Sequence, residues 1–281
     1  MSIATHIFAG IPRPTRHLPG GAALPHSSCA TRAVPVAGVN REIAVEIAAA
    51  RHDWEEAFHL VAGNYQQRRY ETGGTCDLRF TSYHALPNTM VTIAKEHGRV
   101  LATMSVFVDN TLLGLPMDDL YAAELRPLRA AGRRICEAGC LASRDLSLRE
   151  FVAVFEALIR LVWQHHVAEG GDTVVITCNP RHRSYYTRVL GCEPMGSLRN
   201  YAAVENHPAE AFVLHIDRLR QYSPAMYRKI FGQALSPAVL APPRMPADLA
   251  RYFAHHSARA DVRLVEDVLR HTQTHGSPRR W

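Results

Sequence analysis

Two side chains near the middle of this chain have the chemistry and the spacing to move an acyl group. Glu137 lies inside Ile135-Cys136-Glu137-Ala138-Gly139-Cys140-Leu141, a short and mostly apolar stretch. A carboxylate there is costly to bury without a purpose or a partner. The β-branched run Thr173-Val174-Val175-Ile176-Thr177-Cys178 comes next, and it turns through Asn179-Pro180-Arg181-His182-Arg183-Ser184-Tyr185 to reach Tyr186. Aminolysis of a thioester needs a free amine, a polarised carbonyl and a proton for the leaving thiolate. Glu137 is the candidate general base, its pKa raised by burial toward the useful range. Tyr186 is the candidate acid for the departing sulfur, with Tyr185 as its rival. An ion pair with Arg133 or Arg134 would account for Glu137 structurally, and an amphipathic helix position would account for Tyr186.

These groups need a scaffold, and the patterning supplies one. Upstream, Glu42–Ile47 alternates as a strand, and Asp53 is expected to cap a helix from Trp54 to about Glu71, with Glu56 as reciprocal partner. A polar loop through Gly73-Gly74 leads to a hairpin, Thr89–Glu96 and Arg99–Asp109, joined by His97-Gly98. Leu115-Pro116-Met117-Asp118-Asp119 opens a helix running toward Gly132. A long helical pattern spans Ser147 to about Glu169, between the Glu137 strand and the strand 173–178. The helix carrying Tyr186 closes at Gly191, and Ala211–Asp217 makes a last strand. This order predicts an α/β fold, a mixed central sheet with helices on both faces. Residues 1–40 read as a disordered basic leader and 41–220 as the catalytic domain. Residues 221–281 read as a C-terminal helical appendage, with pieces at Pro246–His255 and Asp261–His271.

Composition narrows the class. The chain has 281 residues, is 47% hydrophobic and carries a net charge of +6, which suits a globular core and an acidic partner. No apolar run approaches the roughly 20 residues of a membrane span. The basic charge is almost all arginine, dispersed, with no aromatic-interleaved stripe, so no nucleic-acid partner is expected. Cys29, Cys76, Cys136, Cys140, Cys178 and Cys192 form no CxxC pair and read as reduced core thiols of a cytoplasmic protein. His271 and His275 have helical spacing but no carboxylate partner, so no metal site is expected.

The element order resembles that of the Gcn5-related N-acyltransferases, in which a tyrosine placed like Tyr186, after Asn179 and before Gly191 and Glu193-Pro194, faces the thioester sulfur. A narrower resemblance runs through Thr103, Asp109, Gly114-Leu115-Pro116-Met117-Asp118-Asp119-Leu120-Tyr121, Glu124-Leu125, Leu128-Arg129 and Gly132-Arg133. It continues with Glu137, Leu141-Ala142, Asn179-Pro180-Arg181-His182 and Tyr186. These residues look like those of the N-acyl amino acid synthases of the FeeM type, relatives of the acyl-homoserine-lactone synthases. The resemblance covers roughly residues 42–220. Ala138-Gly139-Cys140 stands where a serine is expected, and Cys192 where an aromatic residue is usual.

The resemblance implies a bacterial acyltransferase with no resident cofactor. Its donor would be acyl carrier protein, holding the acyl group as a 4'-phosphopantetheine thioester, and its acceptor the amine of an amino acid. Leu141, Ala142 and Asn179 would contact the pantetheine arm, although Asn179 equally suits a helix cap with Pro180 following. The turn Ala142–Ser147 has no glycine to bring backbone amides to a pyrophosphate, as coenzyme A-dependent members do. Arg144, Arg149, Arg181 and Arg183 lie near the strand ends where the arm would enter and make a candidate carrier-docking patch. Arg133 and Arg134, with Arg68 and Arg69 as rivals, are candidates for the acceptor carboxylate. Asp109 and Asp118 are candidates to orient the acceptor amine. Met104, Phe107, Leu112, Leu113 and Leu115 are candidates for an acyl tunnel, which core packing explains equally well. Rival functions are acyl-homoserine-lactone-type synthesis, acylation of a polyamine or lipid amine with peripheral membrane association, and a non-catalytic carrier-binding role.

Overall fold

The computed structural model describes residues 32–70 and 78–279. Residues 1–31 of the expected leader, the Gly73-Gly74 loop, Cys29 and Cys76 lie outside the described residues. Among the described residues the first strand lies ahead of the expected start: β1 (Val34–Pro35) pairs antiparallel with β2 (Ala44–Ile47). The helix after it, α1 (Arg51–Gln67), starts one turn earlier than expected, with Ala50 at its N-cap. Asp53 sits in the first turn and reaches back, its Oδ2 accepting from Ala49 and Ala50 N–H at 3.2 and 3.1 Å. Glu56 is not the reciprocal partner; it accepts from Val100 N–H at 2.8 Å and pairs with Arg144 at 2.7 Å.

The hairpin β3 (Met90–Glu96) and β4 (Arg99–Val108) forms as expected. His97 and Gly98 take φ of +48° and +81°, the left-handed pair that a two-residue hairpin turn demands. Then come α2 (Asp118–Ala130), β5 (Ile135–Ser143), α3 (Leu148–Ala168) and β6 (Thr173–Cys178). Ser147 caps α3 in a reciprocal box: Glu150 N–H donates to Ser147 Oγ at 3.3 Å and Ser147 N–H to Glu150 Oε2 at 2.8 Å. A turn of 3-10 helix at Pro180–His182 leads into α4 (Arg183–Arg188).

Like β1, another strand was not anticipated. β7 (Glu193–Tyr201) pairs with β8 (His207–His215) at the sheet edge. Its Pro194 and Gly196 and its largely exposed side chains give no period-2 signal. Gly196 is required there, because a Cβ would sit 2.5 Å from the Tyr121 ring. The Tyr121 hydroxyl in turn lies 2.9 and 2.8 Å from the Ser197 and Ala209 carbonyls.

Among the described residues eight strands form one sheet in the order β1-β2-β3-β4-β5-β6-β8-β7. Every pair is antiparallel except β5 and β6. A parallel pair needs a long crossover, and α3 supplies it. Both faces of β4 are buried, as the continuous apolar run of a covered central strand requires. On one face α3 packs through Val154, Leu158 and Val162. On the other lie α1, through Trp54 and Phe58, and α2, through Tyr121 and Leu125.

The C-terminal helices are woven into both faces. After α5 (Ile216–Tyr222), α6 (Pro224–Phe231) joins the α3 side through Met226 and Ile230. α7 (Pro237–Leu240) leads across to α8 (Ala247–His255) and α9 (Val262–His275). There the Phe253 ring meets Phe58 and Phe80 at 5.0 and 5.8 Å. Among the described residues no helix is long and apolar enough to cross a membrane.

Candidate active site

The site exists because two neighbouring strands part. β5 and β6 pair from Ile135–Thr173 to Ala138–Ile176, and the ladder stops there. Beyond it β5 bulges against β4: Cys140 adopts a φ of +53° and the register shifts between Thr103 and Ser105. A bulge bends and twists its strand, while β6 stays paired with β8 to its end at Cys178. A cavity of about 560 Å³ opens between Gly139-Cys140-Leu141 and Thr177-Cys178-Asn179, a size typical of small-molecule sites.

The cavity draws on both faces of the sheet. Val106, Ala138, Ile176 and Phe212 share a cross-strand row on the α3 face. Here Met104, Phe155, Ile159, Trp163 and Leu190 line an apolar arm. Phe107, Glu137, Val175 and Val213 share the row facing α2. Tyr83, Asp119, Tyr201, Tyr65, Arg79 and Arg259 line the polar arm with Glu137.

Glu137 is 5% exposed. Its Oε2 accepts from Met117 N–H at 2.8 Å, so the buried carboxyl is held by a backbone amide and not by an arginine. Burial lifts its pKa to about 8, with Asp118 and Asp119 pushing the same way and the Met117 amide opposing. That amide is itself fixed. Leu115 N–H donates to Asp118 Oδ2 at 2.7 Å, and Arg129 bridges Asp109 and Asp118 at 2.7 and 2.6 Å. Gly114, at φ +68°, leaves room for Asp118, whose Oδ2 would lie 2.5 Å from a Cβ. Asp109 and Asp118 therefore buttress the loop under Glu137 and do not line the cavity; their neighbour Asp119 does.

Tyr186 lines the cavity, with its ring stacked 6.0 Å from Phe212. Burial holds its phenol well above the ordinary value, so it is protonated at neutral pH. Tyr185 instead packs into the core beside Phe155 and is not in the cavity wall. Asn179 both caps and lines: its Oδ1 accepts from Arg181 N–H at 3.2 Å. Leu141 lines the cavity, whereas Ala142, 2% exposed, packs with the α1 core. Of the tunnel candidates, Met104 and Phe107 line the cavity. Leu115 lies in the core with Met117 and Tyr121, and Leu112 and Leu113 pack against the α1 core.

The expected arginines disperse. Arg133 binds Asp217 and His215 Nδ1, at 2.9 and 2.7 Å, and Arg134 lies 4.0 Å from Asp172. These contacts sit where β5 and β6 begin, at the opposite end from the cleft, so neither residue reaches the cavity. Arg144 pairs with Glu56 at 2.7 Å and Arg183 with Glu210 at 2.8 Å. Arg149 is exposed; Arg181, also exposed, lies 3.2 Å from the Tyr70 hydroxyl. Arg68 lines the cavity while Arg69 does not. His271 and His275 stack at 4.8 Å, and no metal-ligating cluster exists among the described residues.

Sequence reasoning missed Arg79, Asp119, Tyr83, Tyr201, Arg259, Asp261 and Leu264, all in the cavity wall. Arg79 carried a legible signal, a lone charge between buried Leu78 and Phe80, the same signal that marked Glu137. Nothing local points to the others.

Comparison with known proteins gives the family and the fold. The family model for "N-acyl amino acid synthase FeeM" matches residues 56–217. The solved structure of FeeM, an N-acyl amino acid synthase from uncultured soil microbes, aligns at 24% identity and a TM-score of 0.57, covering 65% of this chain and 95% of that one. The acyl-homoserine-lactone synthase LasI aligns at 13% identity and 0.49, covering 69% and 96%. The coenzyme A-dependent acyl-homoserine-lactone synthase BjaI aligns at 18% and 0.49, covering 74% and 98%. No curated protein matches the sequence. Since the family model spans more than half of the chain, the protein belongs to the FeeM N-acyl amino acid synthase family and is an N-acyltransferase.

Proposed function

We propose that the protein transfers a long-chain fatty acyl group from the phosphopantetheine thioester of acyl carrier protein to the amine of an amino acid. The observation that carries this reading is one cavity with an apolar arm on the α3 face and a buried carboxylate on the other. The acyl chain occupies the arm beside Ile159 and Trp163. The thioester lies in the cleft, where residues 139–141 and 177–178 have no ladder partner across the gap and can hydrogen-bond an extended pantetheine. The acceptor amine approaches from the Glu137 side.

Glu137, once ionised, takes a proton from the attacking ammonium. The amine nitrogen bonds to the thioester carbonyl carbon, the C–S bond breaks with Tyr186 protonating the departing sulfur, and the second proton of the nitrogen and the one on Glu137 pass to solvent. The products are an amide and free carrier thiol. Tyr186 is reprotonated from solvent as the thiol leaves.

A carrier donor is favoured over coenzyme A by the first turn of α3. Ser147 and Glu150 already satisfy amides there, and the Glu150 carboxylate, 3.6 Å from Arg41, sets a negative charge beside the helix start, which disfavours a pyrophosphate. Arg149 and Arg181 are exposed where α3 and α4 begin and suit an acidic carrier face. The test is thiol release from palmitoyl-acyl carrier protein against palmitoyl-coenzyme A, with single amino acids and product masses read by mass spectrometry. Amino-acid-dependent release from the carrier is the expected outcome. Release only from coenzyme A, or none with any amino acid, would refute the reading.

A further inference from the structure

One buried hydroxyl ties the C-terminal helices to a segment of the cavity wall. Ser257, just after α8, is 7% exposed. Its Oγ accepts from Phe80 N–H at 3.1 Å and donates to Phe80 C=O at 2.7 Å. A single side chain thus supplies both bonds that a paired strand would otherwise give. The residue before Phe80 is Arg79, whose own N–H donates to Phe58 C=O of α1 at 3.2 Å. Leu78 and Phe80 are buried on either side. The segment is anchored from both directions.

Arg79 is 7% exposed and lines the cavity. Its guanidinium lies 4.4 Å from the Tyr65 ring centroid, and Nη2 is 3.3 Å from Ala203 O. Burial pushes the Cys140 thiol up, with Arg79 opposing that shift and Glu137 adding to it, and all three residues line the same cavity. Of the other basic residues in the wall, Arg68 is exposed and Arg259 lies 3.4 Å from Glu205. Arg79 is the most buried of them, on the face where Glu137 awaits the amine. A guanidinium presents a rigid planar fork that matches a carboxylate, and desolvation strengthens such a pair.

We propose that Arg79 binds the carboxylate of the acceptor and that Ser257 is its positioning residue, supplied by helices outside the segment that matches the family model. The proposal rests on the acceptor being an amino acid. Acceptor selectivity is then shared between the family core and this chain's own C-terminal helices.

The test uses the full chain, palmitoyl-acyl carrier protein as donor, and an amino acid that the wild type acylates, compared with its carboxamide. Wild type is expected to prefer the free carboxylate by roughly tenfold or more, the scale of a charge-assisted hydrogen bond. Arg79→Gln should abolish that preference by raising the amino acid KM, leaving the donor KM and the carboxamide rate in place. Arg79→Lys should retain part of the preference. Ser257→Ala should reduce it by a smaller factor, again with the donor KM unchanged.

An Arg79→Gln enzyme with the wild-type ratio would overturn the proposal. So would variants whose donor and acceptor constants decline together with the melting temperature, the signature of a purely structural role. If Arg79→Gln does not fold, an unchanged ratio in both Arg79→Lys and Ser257→Ala overturns it. Absence of any amino acid turnover in the wild type removes the functional reading itself. Normal amino acid turnover with an unaltered ratio removes the Arg79 assignment alone.

Discussion

The backbone N–H of Met117 donates to Glu137 Oε2 at 2.8 Å, tying the one buried acid of β5 to the loop that opens α2. A backbone donor fixes the carboxyl without neutralising it, as an arginine would. Glu137→Gln keeps the size and a hydrogen-bonding oxygen but removes the base. The expected loss in kcat is roughly 10²–10⁴-fold, with the acyl-donor KM little changed, measured by thiol release.

The same carboxyl sets the pH dependence. Its pKa lies near 8 in the folded protein, and the base must be ionised, so kcat/KM should rise with pH and level off above about 8. Asp119→Asn removes a charge that helps hold the proton and should move this acidic limb to lower pH. An unmoved limb would show that another group titrates.

Stability follows with the opposite sign. The folded pKa exceeds the unfolded one, so the contribution of this group is intact below the ordinary glutamate value and is lost as pH rises through about 8. The melting temperature of Glu137→Gln should therefore gain on that of wild type as pH is raised from about 5 to about 9.

Tyr186 is tested by the leaving group. Tyr186→Phe should slow transfer from acyl carrier protein by roughly 10²-fold. It should scarcely affect transfer from the thioester of an acidic aryl thiol, which departs without a proton. Equal losses with both donors would assign the hydroxyl a structural role.

Gly114→Ala tests the support of Met117. The new Cβ meets Asp118 Oδ2 at 2.5 Å, at a φ of +68°, so a cost of about 1–3 kcal/mol is expected in denaturant unfolding. Activity should fall further than stability explains, because the Asp118–Arg129 buttress sets the amide that holds Glu137.

Ile159 on α3 borders the apolar arm. Ile159→Trp should shift the preferred donor toward acyl chains shorter by a few carbons, read from product masses with a ladder of acyl carriers. Conserved selectivity would place the chain elsewhere.

Much of this protein is legible in its sequence, wherever the information is local. The run Thr173–Cys178 has one reading, a buried strand, because its β-branched residues suit a pleated surface covered on both sides. Ser147 with Glu150 announces the start of α3 because capping is a contact between residues three apart. Glu137 stands out because an acid amid apolar neighbours is expensive anywhere, and Tyr186 because its distance from a strand end is a covalent quantity. The edge strand β7 was lost for the same reason inverted: half-exposed and broken by Pro194 and Gly196, it has no pattern of its own.

Tertiary structure decided what lies opposite what. Arg133 and Glu137 are close in sequence, yet β5 carries them away from each other, one toward Asp217 and the other into the cleft. Asp118 and Asp119 are adjacent, yet the first faces Arg129 and the second the cavity. Ser257 reaches Phe80 across 177 positions of chain. Such pairings depend on where β5 bulges and which sheet face a distant helix covers, and no short window of residues encodes either.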